Sequence, residues 1–502
     1  MPQSISKDFY IWRFITESNT TKEASLNAYQ QSLRKSYKLK KAIRQKLGYL
    51  PKEKTKNAKD PKNFIIYPKT ASKKTLTSLK RLYQKVKKKG KYSTVLKVMT
   101  NRDPFEALKK ESPKTQCYIF NQVTHRYRLR YFDHPFSKEQ LDLLSNEPQF
   151  NQTIHTIITQ RGMKQIKKSL LNTPITEKIN FQNRFLLSLN ALKEGNISQA
   201  TNYLDSAKSI AKFQSQKDQC NFWFYLINRD QKHLESVIQS TQVNLYTLAA
   251  REIMHQPHPK VITPHLPMRF VTDFDLHNPI DWEKIKRDIK EKSSDYIDQK
   301  ANSYKSYLTE GVYSYLKEKA SGYTLPYYAM PYLDAMIGKP KERIALLYAI
   351  ARQESRFVPA SISSSYALGM MQIMPFLIKH LASKRGENLD LEEMFDPYIA
   401  ISYADQHLDY LTKYLYHPLF IAYGYNGGIG FTKKTIKQPH LFKKGAYEPY
   451  LSMELINYEE SKEYAKKVLS NYVIYMNLLG EKQKILPLLE ELSDPLATDR
   501  FR

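Results

Sequence analysis

The sequence predicts a mainly α-helical protein of more than one domain, and three observations carry that expectation. Apolar residues recur at helical spacing through most of the 502 residues, and regular strand alternation is scarce. Between Phe181 and Glu252 short helical segments alternate with turns. A single core saturates at roughly 250 to 300 residues, so two or three domains are expected.

In chain order, LTSLKRLYQKV (Leu76 to Val86) and LDLLSN (Leu141 to Asn146) read as helices. Before them, Leu50 to Thr75 is polar, lysine-rich and broken by prolines, which predicts a long connection. From Phe181 the segments NRFLLSLNALKEGN, ISQATNYLDSAKSIAKF, QCNFWFYLINRDQ, HLESVIQS and NLYTLAAREI read as helical hairpins, with Gly195-Asn196 as one turn. Each pair can bury its apolar face only on its neighbour, so the stretch reads as an α-solenoid without a strict period. Four prolines between His255 and Pro267 end the pattern, and the charged stretch Trp282 to Ala320 returns to helix, as a linker module between two bodies would. The expected division is 1–260, 261–322 and 323–502.

Lys and Arg number 79 against 49 Asp and Glu, giving a net charge of +30 and an isoelectric point near 9.6. Such a balance favours polyanionic partners: nucleic acid, anionic membrane or an acidic polymer. The charge is diffuse, densest at Lys85 to Lys91, and no zinc-finger spacing or RRM signature accompanies it, so nucleic acid is the weaker reading. Cys117 and Cys220 stand apart in no CxxC or Cys/His arrangement. One disulfide or two buried thiols fit them, the thiols better, and neither metal nor cofactor is expected. With no run of about 18 apolar residues and no apolar h-region at the start, the chain reads as soluble, a removed export leader being left open.

The chemistry gathers in the last segment. In AIARQESRF, Ala349 to Phe357, a glutamate ends an apolar run. Ile344, Leu347, Ala351 and Glu354 share one helical face, so Glu354 meets the core and its pKa is expected to rise, unless a flanking Arg352 or Arg356 pairs with it. Residues Ser363 to Pro375, SSSYALGMMQIMP, predict a tight turn at Gly369 into a short helical piece closed by Pro375. There Gln372 can serve a sugar as donor and acceptor, Met374 as an adaptable wall and Ser363 as a small hydroxyl. FIAYGYNGGIG, Phe420 to Gly430, reads as a loop presenting Tyr425 as a flat surface or phenol donor.

In that order AIARQES, GMMQIMP, YGYNGG and EESKEYAKKVLSNYVIY resemble the motif set of the soluble lytic transglycosylase family, the lysozyme-like catalytic domain of glycoside hydrolase family 23. The 18-residue interval from Glu354 to Gln372 fits that family. The resemblance implies a superhelical U-type domain, a helical linker domain and a C-terminal lysozyme-like α+β domain dominated by helices. It implies Glu354 as the single catalytic acid/base, and Ser363 on the substrate's N-acetyl group. Gln372, Met374 and Tyr425 would line sugar subsites and Asn426 would hold the Tyr425 loop. Ser355, Gly369, Glu460 and Tyr464 would support the site. The sequence departs from the family at Met370, Gly424, Gly427, Ser461 and Ala465, and none of these removes the acid.

No second acid stands in the two motifs expected to face Glu354, whereas ordinary glycosidases need a carboxylate pair. A lone acid suffices if the substrate's acetamido oxygen stabilises the cation and its C6 hydroxyl closes on C1. The expected activity is cleavage of the β-1,4 bond between N-acetylmuramic acid and N-acetylglucosamine of peptidoglycan, leaving a 1,6-anhydro sugar. Two alternatives stand beside it: a goose-type lysozyme-like hydrolase and a non-catalytic peptidoglycan-binding scaffold. The implied partners are glycan strands and stem peptides, with other cell-wall enzymes reached through the superhelix, and the implied location of a monomeric protein is the periplasm.

Overall fold

The helices Phe181–Lys193, Ile197–Ser209, Gln214–Asn228, Gln231–Ile238 and Leu245–Ile253 stack as consecutive hairpins. They belong to a computed structural model that describes residues 3–51, 66–86 and 90–502. Residues 52–65 of the expected connection and 87–89 of the Lys85 to Lys91 run lie outside these described residues. The first hairpin shows why the stack forms. Asn180 and Asn196 cap the two helices with their side chains, and between them Gly195 takes a φ of +77°, a left-handed conformation that costs glycine little. Phe185, Leu186 and Leu189 are then buried against Ala200, Tyr203 and Leu204. Buried Asp218 accepts from Gln214, Ser240 and Asn244 and so pins the turn between the last two hairpin helices. Cys117 and Cys220 are free and buried, and burial pushes both thiols up to about 12.

Helices Pro279–Asp288, Ser294–Ser303 and Glu310–Ala320 follow, with a small core of their own around Trp282, Ile285, Ile297 and Leu316. Val358, from beyond the next helix, completes that core. Gly311 makes the approach possible, because a Cβ there would lie 2.5 Å from the carbonyl oxygen of Phe357.

In the last segment the helix Glu459–Leu478 is buried along most of its length and carries Lys341–Glu354 and Pro418–Gly427 on its flanks. β-structure among the described residues is confined to isolated bridges, including antiparallel Ile362–Leu368 and Leu368–Ile373. The start of the chain returns to this segment. From helices Ile5–Thr16 and Tyr37–Leu47, Arg13 pairs with Asp390 at 2.7 Å, and Lys38 donates to the Ser365 carbonyl at 2.7 Å.

Glu318, on the helix that Gly311 seats, is the ionic joint of the structure. Its buried carboxylate holds Arg352 through one oxygen and Arg356, at 2.9 Å, through the other. Removing one partner of such a group strands buried charge, so Glu318→Ala is expected to destabilise the protein by about 3–5 kcal/mol. The denaturation midpoint checks this against Glu481→Ala, which breaks the exposed pair with Lys341 and is expected to cost less than about 1 kcal/mol.

Candidate active site around Glu354

Glu354 is the last residue of its helix. The chain leaves it through Arg356 and Phe357, both at positive φ (56° and 64°), which turns the backbone sharply into the segment that follows. Ser355 fixes this exit by donating its hydroxyl to the Met370 carbonyl at 2.7 Å. The acid therefore meets the Gly369–Met374 turn through a direct tie.

The Glu354 carboxyl accepts one hydrogen bond, from the Tyr464 hydroxyl at 2.8 Å. Burial pushes its pKa up to about 8, opposed by the Tyr464 bond and reinforced by the negative charge of Glu460. The residue as a whole is partly exposed. Neither flanking arginine neutralises it, since both are held by Glu318. A carboxyl in this state holds its proton at neutral pH and can give it to an oxygen placed within hydrogen-bond reach.

The segment Ser361–Met374 departs from the expected short helix. Gly369 to Gln372 form a turn between the bridged residues Leu368 and Ile373, and Pro375 opens the helix Pro375–Arg385 rather than closing one. Two residues force the turn. Gly369 has φ +76° and lies so close to the Met394 carbonyl that a Cβ would sit 2.0 Å from its oxygen, while Gln372 adopts φ 51°. Gln372 also differs from its expected double role. Its amide nitrogen donates to the carbonyls of Ser361 and Gly369 at 3.0 and 2.8 Å, so both protons brace the turn and only the oxygen is left to accept from a ligand. Met374 is half-buried at the end of this turn.

Ser363 is placed by the same economy. Its oxygen accepts from the backbone N–H of Ser365 and Ala367 at 3.2 and 2.9 Å, which leaves its own proton free to donate. The tip of this turn is gripped by the distant N-terminal helices. Buried Tyr366 stacks with Phe9 and Trp12 at 5.9 and 5.7 Å and meets the Ser36 hydroxyl at 3.3 Å.

Tyr425 and Asn426 lie in the last turn of the helix Pro418–Gly427 and not in a loop, because the helix runs on until Gly428 ends it at φ 83°. The Tyr425 hydroxyl donates to the Met371 carbonyl at 2.8 Å, tying this helix end to the Gln372 turn. Asn426 accepts from Ser461 across to the long buried helix. Gly427 is needed there, since a Cβ would lie 2.8 Å from the Ser461 hydroxyl and 2.6 Å from the Phe431 ring. Burial and the nearby Glu354 charge hold the phenols of Tyr425 and Tyr464 well above their ordinary pKa, so both remain protonated donors. Glu460 is exposed and accepts from the Tyr458 hydroxyl at 3.1 Å.

Three groups escaped the sequence reading. His407 packs its ring 5.5 Å from Tyr425, and burial pushes its pKa down to about 4, so it is a neutral wall. Lys466 and Glu454 form a buried pair at 2.9 Å that Tyr246 joins from the helical hairpins. In sequence, Lys466 belongs to a charged EYAKK run that reads as a solvated face, and nothing local marks Glu454.

The raised pKa of Glu354 has a consequence for stability. The native state holds the proton up to about pH 8, whereas the unfolded chain releases it near 4.3. The group's favourable contribution is therefore complete below about pH 4.3 and is lost as pH rises towards 8. Glu354→Gln cannot ionise, so its stability is expected to match wild type at pH 4 and to exceed it by about 2–4 kcal/mol at pH 8, partial access to solvent reducing the full linkage value. Denaturation midpoints at the two pH values measure the difference.

Residues 332–447 match the family described as the transglycosylase SLT domain. Over 145 residues the chain is 27% identical to the soluble lytic murein transglycosylase of Salmonella typhimurium, and over 146 residues 28% identical to that of Escherichia coli. The matched regions are 28% of this chain and 21% and 22% of those relatives, so the similarity spans about a fifth of their length. Among solved structures, the 70-kDa soluble lytic transglycosylase of Escherichia coli aligns over 99% of this chain and 87% of its own at 16% identity, with a TM-score of 0.48. The match contains Glu354, the Gln372 turn and the Tyr425 helix end. The segment 332–447 is thus the part of this chain that is similar to the transglycosylase SLT domain.

Proposed function

We propose that the protein is a peptidoglycan lytic transglycosylase in which Glu354 acts first as acid and then as base. One observation carries the reading: an uncompensated carboxyl, protonated at neutral pH, with a tyrosine hydroxyl on one of its oxygens. Glu354 gives its proton to the glycosidic oxygen as the bond to C1 of N-acetylmuramic acid breaks. The substrate's acetamido oxygen stabilises the cationic centre. The C6 hydroxyl then adds to C1 and returns its proton to Glu354, closing a 1,6-anhydro ring and restoring the enzyme without water.

The neighbours fit this sequence. Tyr464 donates to Glu354, which favours the carboxylate formed after the first transfer. Ser363 has its proton free for an acetamido carbonyl, and the Gln372 oxygen can accept from a sugar hydroxyl or amide. No second carboxylate is needed. Among the described residues Glu460 is the acid whose field reaches Glu354, and it is exposed and engaged by Tyr458. The substrate lies outside the inner membrane, so the site of action in this reading is the periplasm. No helix among the described residues is long and apolar enough to cross a membrane.

Mass spectrometry of fragments released from purified peptidoglycan tests the proposal. Wild type is expected to release muropeptides one water lighter than reducing-end products, and Glu354→Gln to lose about 10²–10⁴-fold in rate. Hydrated reducing ends instead indicate a lysozyme-like hydrolase, and no release from folded wild type indicates a binding scaffold. Tyr464→Phe removes the bond that favours ionised Glu354, so the limb of the pH–rate profile belonging to Glu354 is expected to move to higher pH.

A further inference from the structure

Half of the chain's net positive charge lies in one short stretch: residues 66–131 hold eighteen Lys and Arg against three acids. All three acids are engaged. Asp103 caps the helix Pro104–Lys109, Glu106 pairs with Lys109 at 2.5 Å, and Glu111 pairs with Lys97 at 2.9 Å. Lys74, Lys80, Arg102, Arg126 and Arg130 instead surround a pocket of about 430 Å³ against the helices Leu76–Val86 and His125–Tyr131. Among the described residues, none of these five has a carboxylate within ion-pair distance. Arg102 and Arg130 also border an adjoining pocket of about 550 Å³.

Two tyrosines form part of the pocket's apolar lining. Tyr127 lines it with 7% of its surface exposed. The neighbouring Tyr131 ring lies 4.6 Å from Tyr127 and carries the Arg130 guanidinium at 5.1 Å from its centre, which restrains that arginine at the rim.

We propose that this pocket binds the carboxylates of an acidic peptide, and that in the cell these are the free carboxylates of peptidoglycan stem peptides; the identity of the polymer rests on the function proposed above. Arginine forks match a carboxylate in two-point geometry. Nucleic acid fits less well, because Tyr127 is buried and Tyr131 half-buried, leaving no open aromatic face for base stacking. The pocket would hold peptide stems on the helices of residues 72–131 while the Glu354 site works on the glycan.

The test uses the full chain and a fluorescent stem-type tetrapeptide with free carboxylates, which contains no glycosidic bond, followed by anisotropy. Wild type is expected to bind it at least tenfold more tightly than the fully amidated peptide, with affinity falling as salt rises from 50 to 300 mM. Arg102→Gln/Arg126→Gln/Arg130→Gln alters exposed side chains only and is expected to lose tenfold or more with an unchanged thermal midpoint. Equal binding of the amidated peptide, or by the triple variant, overturns the proposal. Tighter arginine-dependent binding of a labelled oligonucleotide or of inorganic phosphate overturns the carboxylate assignment. Since the probe cannot be cleaved, absence of anhydro products from peptidoglycan fails the transglycosylase reading alone and leaves a positive peptide result standing.

Discussion

The site depends on keeping two arginines away from one glutamate. Arg352 and Arg356 lie within two residues of Glu354, and a guanidinium within about 4–6 Å would pull a carboxyl's pKa down by one to three units. Glu318, carried by a different helix, takes both. What remains around Glu354 is a phenol and apolar burial, so its proton is retained to about pH 8. The helix Glu310–Ala320 can reach that position because Gly311 lets it touch the Phe357 carbonyl. A backbone approach in one module thus sets a protonation state in another.

The same logic of committed donors defines the turn opposite the acid. Gln372, Ser363, Ser355 and Tyr425 all bond backbone atoms of Ser361–Ala367 or Gly369–Met371. They hold an irregular segment with three positive-φ residues, Tyr366, Gly369 and Gln372, that no regular ladder could stabilise. Each side chain keeps a particular remainder: Ser363 a proton, Gln372 an oxygen. Specificity for a ligand then follows from what local structure leaves unused.

Much of this was legible. The helical hairpins follow from 3.6-residue periodicity and cap residues such as Asn180 and Asn196, which are local signals. The burial of Glu354 follows from its shared face with Ile344, Leu347 and Ala351. Read from the sequence alone, MMQIMP resembled a short helix because apolar spacing cannot see the Gly369 contact with Met394, 25 residues away. Tyr425 was expected in a loop because two glycines follow Asn426, yet only Gly428 is needed to end the helix while Gly427 gives room to Ser461 and Phe431. Glu318 and Glu454 were invisible, since their partners belong to other parts of the chain.

The contacts furthest apart in sequence bear on the site as well. Tyr366 lies three residues from Ser363, and its ring is enclosed by Phe9, Trp12 and the Lys38 ammonium, with Ser36 on its hydroxyl. Lys38 closes the grip by bonding the Ser365 carbonyl. A five-residue turn with a residue at φ 61° has little regular structure of its own to fix the Ser363 hydroxyl. Its order is therefore borrowed from helices more than three hundred residues upstream, which bury a tyrosine that would otherwise sit at an exposed turn tip. In this architecture the helical body does more than carry the segment that holds Glu354: by holding Tyr366 it fixes the Ser363 turn, and by holding Arg352 and Arg356 through Glu318 the linking helices fix the charge of the acid.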